Sequence, residues 1–162
     1  MKLTASEDIT TMDVVKIQAQ VLLPLARALR KEIGEQRTRE LLRAAIEEAS
    51  RERIRDQAGQ LEGSPLEKFQ AMMGRSAEVN GPQIEMEFRE TTPELLQFDV
   101  KSCKYAELFQ ALGETEIGAM LLCDSDAYVA EVAGPAVQFS RSQTLMQGAS
   151  HCDFCYRVDR DK

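Results

Sequence analysis

No stretch of this chain approaches the roughly 18 consecutive apolar residues that a membrane-spanning helix needs. The opening MKLTASEDITTMD also lacks the apolar core of a secretion signal, so a cytoplasmic location is expected. Basic residues are in deficit, 20 Lys and Arg against 27 Asp and Glu, for a net charge of -7. A nucleic-acid surface needs a basic stripe to displace counterions from phosphates, so that class is set aside along with membrane partners. A cationic or zwitterionic small molecule is the easier ligand. Four cysteines in 162 residues are too few for a disulfide scaffold, and in a reducing compartment they are expected to be thiols. No Gly-x-Ser-x-Gly, phosphate-cradling glycine loop or His-Glu-x-x-His occurs, which removes several common hydrolase and nucleotide-binding designs. Histidine occurs once, so any histidine-dependent proton transfer must use His151.

What reactive chemistry there is lies close together. All four cysteines and the histidine fall between Cys103 and Tyr156, after a hundred residues without either type. The preceding part reads as helical. Thr10-Thr11-Met12-Asp13 has capping-box spacing, and Val14, Ile17, Val21, Leu22, Leu25 and Leu29 follow the 3.6-residue period to about residue 32, with Pro24 inside. Leu41, Leu42, Ala45, Ile46, Ala49 and Ile54 mark a second amphipathic helix to about 56. Ser64-Pro65-Leu66-Glu67 starts a third, carrying Phe69, Met72 and Met73.

At Ile84 the period drops to two. Ile84, Met86 and Phe88, then Leu96, Phe98 and Val100, predict an antiparallel hairpin turned at 91–94. A helix is expected to follow Cys103 up to Gly113, and another to carry Ile117, Met120 and Leu121 as far as Cys123. The segment 127–133 fits strand or helix. Val137, Phe139 and Arg141 alternate in a third strand, and Cys152, Phe154, Tyr156 and Val158 in a fourth. The expectation is a single α+β domain over 1–162, with a helical part at about 10–80 and N-terminal helices packed on a small antiparallel sheet at about 82–158 that carries inserted helices. Two long amphipathic helices have more apolar surface than one small sheet covers, which predicts a homodimer through them.

Cys103, Cys123, His151 and Cys152 supply enough ligands for zinc or iron, the alternative to a metal-free site. The spacing is not that of a zinc finger. Cys152 and Cys155, three apart on one strand, point to opposite faces, so a shared ion is disfavoured. As a nucleophile Cys103 is better placed than Cys123, because the dipole and free amides at a helix start lower a thiol's pKa, whereas Asp124 and Asp126 oppose ionisation of Cys123. His151, after the loop 147–150, is the candidate proton carrier. Asp126 suits a cation or a turn. Arg141 suits a carboxylate or a surface ion pair.

Cys103 with Tyr105 and Leu112-Gly113, Cys123 with Asp126, and Thr144-Leu145, Gly148 and His151-Cys152-Asp153-Phe154 together resemble the L-2-amino-thiazoline-4-carboxylic acid hydrolase family. The resemblance covers roughly residues 96–158. Cys155 departs from it. It implies hydrolytic opening of a cyclic isothiourea to an N-carbamoyl cysteine, with no resident cofactor expected. On that basis Cys103 or Cys152 attacks or activates, His151 shuttles protons, Asp126 holds the amidinium, Arg141 and Thr144 bind the substrate, and Cys123 supports. The rival reading is a non-catalytic domain that senses a small molecule, metal or oxidant through the same cysteines.

Overall fold

A computed structural model describes residues 9–159. The elements, in order, are α1 (Thr11–Ile33), α2 (Glu35–Gly59), α3 (Pro65–Asn80), β1 (Ile84–Thr91), β2 (Leu95–Cys103), α4 (Lys104–Leu112), α5 (Thr115–Gly118), α6 (Ser125–Glu131), β3 (Val137–Ser140) and β4 (Cys152–Val158). This is the expected α+β class, with helices ahead of a four-stranded antiparallel sheet. Among the described residues no helix is long and apolar enough to cross a membrane. The chain divides into two compact units between Leu42 and Arg43, inside α2.

In the first unit, α1 begins on the predicted capping box. The Thr10 hydroxyl accepts from the Asp13 amide, and the Asp13 carboxylate accepts from the Thr10 amide, each at 3.1 Å. Val15, Ala19, Leu23 and Ala26 form its buried row. A second apolar row, Val14, Ile17, Val21 and Leu25, lies exposed.

The second unit contains the whole sheet, in the order β1-β2-β4-β3. One face is the core: Phe98, Val100, Cys152 and Tyr156 from the two central strands pack with Phe69 of α3, Ala130 of α6 and Val137 of β3. Aromatic rings bind the layers. Phe98 stacks on Phe154 at 4.7 Å, Phe139 on Tyr156 at 4.8 Å, and Phe69 tilts onto Tyr156 at 5.5 Å. The ambiguous segment near 127–133 is mostly helix, because Ala130 must turn inward to the sheet while Tyr128, Val129 and Val132 pack with Ile54 and Met72.

Two irregularities in the hairpin set up everything on its surfaces. Met86 pairs with Val100 but Glu85 pairs with Ser102, so Lys101 is an extra residue in β2. Phe88 pairs with Phe98 but Glu90 pairs with Gln97, which makes Arg89 the extra residue in β1. A bulge resets the alternation of side chains beyond it. Cys103, opposite Ile84, therefore packs with the core face, as Val100 and Cys152 do, instead of following Asp99 and Lys101.

Candidate active site

The core-facing side gathers most of the chemistry expected from the sequence. Cys103 ends β2 and precedes α4; Cys123 closes the wide helical turn Ala119–Cys123; Asp126 lies in the first turn of α6; Cys152 opens β4. Arg141 lies one residue past β3, so it does not belong to the strand as alternation suggests. Its guanidinium donates to the Asp126 carboxylate at 2.5 Å and to the Cys123 carbonyl at 2.9 Å. It also lies over the Phe154 and Phe139 rings, 4.9 and 5.5 Å from their centroids. Only 11% of its side chain is open.

Asp126 keeps 32% of its side-chain surface open. Protein atoms nonetheless crowd around it, and burial pushes its carboxyl up to about 6 against the opposing pull of Arg141. The thiols surround this pair. Burial pushes Cys123 up to about 12, with Arg141 opposing and Asp126 adding to the rise. Cys152 is buried and also raised by burial, although the Leu145 amide donates to its sulfur at 3.2 Å. The expected depression of Cys103 at the start of α4 does not occur. The Ala106 and Tyr105 amides favour its thiolate, but burial outweighs them and the net direction is up. All three thiols thus resist ionisation.

His151 and Cys155 face the other way. His151 lies just before β4 and, like Cys155, borders a cavity with Asp99 and Asp153, whereas Cys152 is buried in the core. The expected pairing of His151 with Cys103 or Cys152 is not formed. Its ring nitrogens lie 3.1 and 3.0 Å from the Gln143 side-chain amide, its Nδ1 lies 2.9 Å from the Ser150 hydroxyl, and its Nε2 is 3.6 Å from the Asp99 carboxylate. The alternative metal set of Cys103, Cys123, His151 and Cys152 is correspondingly split across the sheet. Among the described residues no group of three or more His, Cys, Asp or Glu side chains is arranged to hold a metal ion. Thr144 is buried, and its hydroxyl serves its own turn, accepting from the Gln147 amide at 3.1 Å and donating to the Gln147 side chain at 3.2 Å.

This second face carries a cavity of about 490 Å³ bordered by Arg89, Asp99, Arg141, His151, Asp153 and Cys155, among others. Asp99, which sequence alternation marks as a solvent-side residue, is 2% exposed. Its cover is a lid of side chains. Both bulge residues reach it, Arg89 as an ion pair and Lys101 at 2.7 Å. Hydrogen bonding from Arg89 first, then from Lys101, holds the carboxyl down at about 2. A depressed carboxyl stabilises the folded chain above its ordinary value of 3.8 and loses that contribution as pH falls through about 2. In acid titrations followed by circular dichroism, Asp99→Asn should therefore be less stable than the parent at neutral pH and converge with it near pH 2. A constant gap down to that pH would contradict the ion-pair account.

The phenol-responsive sensory domain of the transcription activator PoxR, solved with phenol, is similar in structure with a TM-score of 0.49 and 12% identity, over 85% of this chain and 72% of that one. No curated protein matches the chain. A family model described as L-2-amino-thiazoline-4-carboxylic acid hydrolase matches residues 15–156.

Proposed function

Because the chain belongs to the L-2-amino-thiazoline-4-carboxylic acid hydrolase family, we propose that it opens a cyclic isothiourea such as 2-amino-thiazoline-4-carboxylate by hydrolysis, at the cluster of Asp126, Arg141, Cys103, Cys123 and Cys152. One observation carries this reading: the Asp126 carboxylate accepts from the Arg141 guanidinium at 2.5 Å among three thiols, and burial lifts it to about 6. Such a group is ionised at neutral pH yet readily takes a proton, as general acid-base catalysis requires.

The reaction needs a nucleophile on the amidine-like carbon between ring nitrogen and sulfur. The three thiols are held protonated by burial, which favours water activated by Asp126 over a resting thiolate. Water contributes its oxygen to that carbon while the ring nitrogen gains a proton. The carbon–sulfur bond then breaks, the new hydroxyl becomes the carbonyl, and its proton passes through Asp126 to the departing sulfur. The product carries a carbamoyl group on nitrogen and a free thiol. In this scheme Asp126 takes the proton-carrying role that sequence reasoning gave to His151. Arg141, already engaged by Asp126, orients that carboxylate, and its cationic neighbourhood suits the substrate's carboxylate.

The test is turnover of 2-amino-thiazoline-4-carboxylate and related cyclic amidines, followed by the appearance of free thiol. Binding without product would favour the sensing domain. Cys103→Ser separates the two nucleophiles: with water attacking, it should retain ring opening to within about tenfold, a change of roughly 1.4 kcal/mol in barrier. Complete loss in a folded Cys103→Ser protein would transfer the attack to the thiol.

A further inference from the structure

The backbone that carries Arg141 has lost its sheet pairing. The β3–β4 ladder ends with Ser140 opposite Cys155, and Arg141 is the next residue. An arginine on an unpaired strand end has a long stem and many rotamers, so holding it on one carboxylate needs an anchor. The anchor comes from β4. One Asp153 carboxylate oxygen accepts from the Ser142 amide at 3.0 Å and from the Gln143 amide at 2.9 Å, and the other accepts from the Ser142 hydroxyl at 2.5 Å. Burial would raise the Asp153 carboxyl, but these donors bring it below its ordinary value, so it is a ready acceptor at neutral pH. Arg141 is therefore pinned on both sides, by the last ladder pair before it and by the Asp153 carboxylate after it.

We propose that Asp153 is the positioning residue of the candidate site: its carboxylate replaces the missing ladder beyond Ser140 and thereby keeps the Arg141 guanidinium on Asp126. This inference rests on the proposed site but concerns its geometry, which can be tested without turnover. Asp153 and Cys152 are neighbours on β4 that serve opposite faces, so one strand fixes the site from both sides of the sheet. The same anchor sets Gln143, whose amide contacts the His151 ring.

Several groups influence Asp126. Arg141 approaches from the end of β3, Asp124 from the preceding turn, Cys123 from the wide turn, Cys103 from the end of β2, and Cys152 and Tyr156 from β4. Arg141 is the cation among them, and it opposes the effect of burial. Releasing it leaves burial and Asp124 to act alone, so the carboxyl must move upward.

The measurement is a carboxyl-carbon NMR titration of the full chain without substrate, with Asp126→Asn used to assign the resonance. In Asp153→Ala the Asp126 midpoint should rise by about one pH unit or more, the usual scale for losing an adjacent opposite charge. An unchanged midpoint in folded Asp153→Ala protein overturns the proposal. If Asp153→Ala does not fold, Asp153→Asn exchanges one accepting oxygen for a donor and must shift the midpoint in the same direction by less; no shift there is equally fatal. Because neither readout uses catalysis, absence of turnover would refute the hydrolase reading while leaving this inference to stand or fall by itself.

Discussion

Replacing Asp126 by asparagine is expected to lower kcat/KM for ring opening by about 10²- to 10⁴-fold, the usual contribution of a positioned acid-base group. Asparagine preserves the side chain's shape and one oxygen for Arg141, so circular dichroism should show the fold retained. The pH dependence gives a sharper signature. Asp126 works as a base in its ionised form, and burial has raised its carboxyl to about 6, so activity of the parent protein should fall as pH drops through that value. Above it, activity should level off until another group titrates. The acidic limb should vanish from the residual activity of Asp126→Asn. Retention of a full-sized rate, or of the same acidic limb, would remove Asp126 from the mechanism.

Gly118→Ala is expected to have the largest effect on stability. Gly118 has ordinary helical dihedrals, and alanine is normally better in a helix by about 1 kcal/mol. Here crowding reverses that preference. A Cβ at this position would lie 2.5 Å from Cγ and 2.8 Å from Cβ of Phe109, and 2.8 Å from Sδ of Met146. Phe109 is fully buried and Met146 is 2% exposed, so neither has open space to retreat into. Overpacking of a closed core costs about 1–3 kcal/mol, occasionally more, and this case belongs at the upper end because a ring's inner atoms are struck. A net loss of about 2 kcal/mol corresponds to a fall in Tm of roughly 4–8 °C for a chain of this size. Thermal unfolding at fixed pH measures it, and an unchanged or raised Tm would show that α4 shifts freely. Gly118 also leads directly into the Ala119–Cys123 turn, so the variant should lose activity beyond its loss of stability.

Much of the architecture was legible because local rules and tertiary packing agree. The predicted capping box at Thr10–Asp13 forms, the predicted helix start at Ser64–Glu67 closes a second one, and the switch of period at Ile84 marks the first strand. The opposite orientation of Cys152 and Cys155 also followed from alternation alone. The third helix ends at Asn80, where Asn80-Gly81-Pro82 breaks the helical pattern. The clustering of Cys103, Cys123 and Asp126 with Cys152 around Arg141 agrees with the grouping of residues in the sequence. The separation of His151 from the thiols was foreshadowed by alternation, but its partner was hidden. Asp99 looks like any polar residue of a half-buried strand, and its cover comes from Arg89 and Lys101, whose aim depends on bulges that no periodicity reveals. Thiol ionisation escapes the sequence for a related reason: a helix start is visible there, whereas the burial that outweighs it at Cys103 belongs to the assembled core.

The bulge at Lys101 lets β2 hold one residue more than its partner strand needs while Cys103 stays opposite Ile84 on the core face. If the same residues paired without it, strict alternation from Val100 would carry the thiol through the sheet to the side of Asp99 and His151, with no amino acid altered. Two chains with the same cysteine, histidine and aspartates would thus present different reactive neighbourhoods through the presence or absence of one backbone irregularity. The chemistry of this scaffold is open to change by a slip of register that substitution of its site residues would never sample.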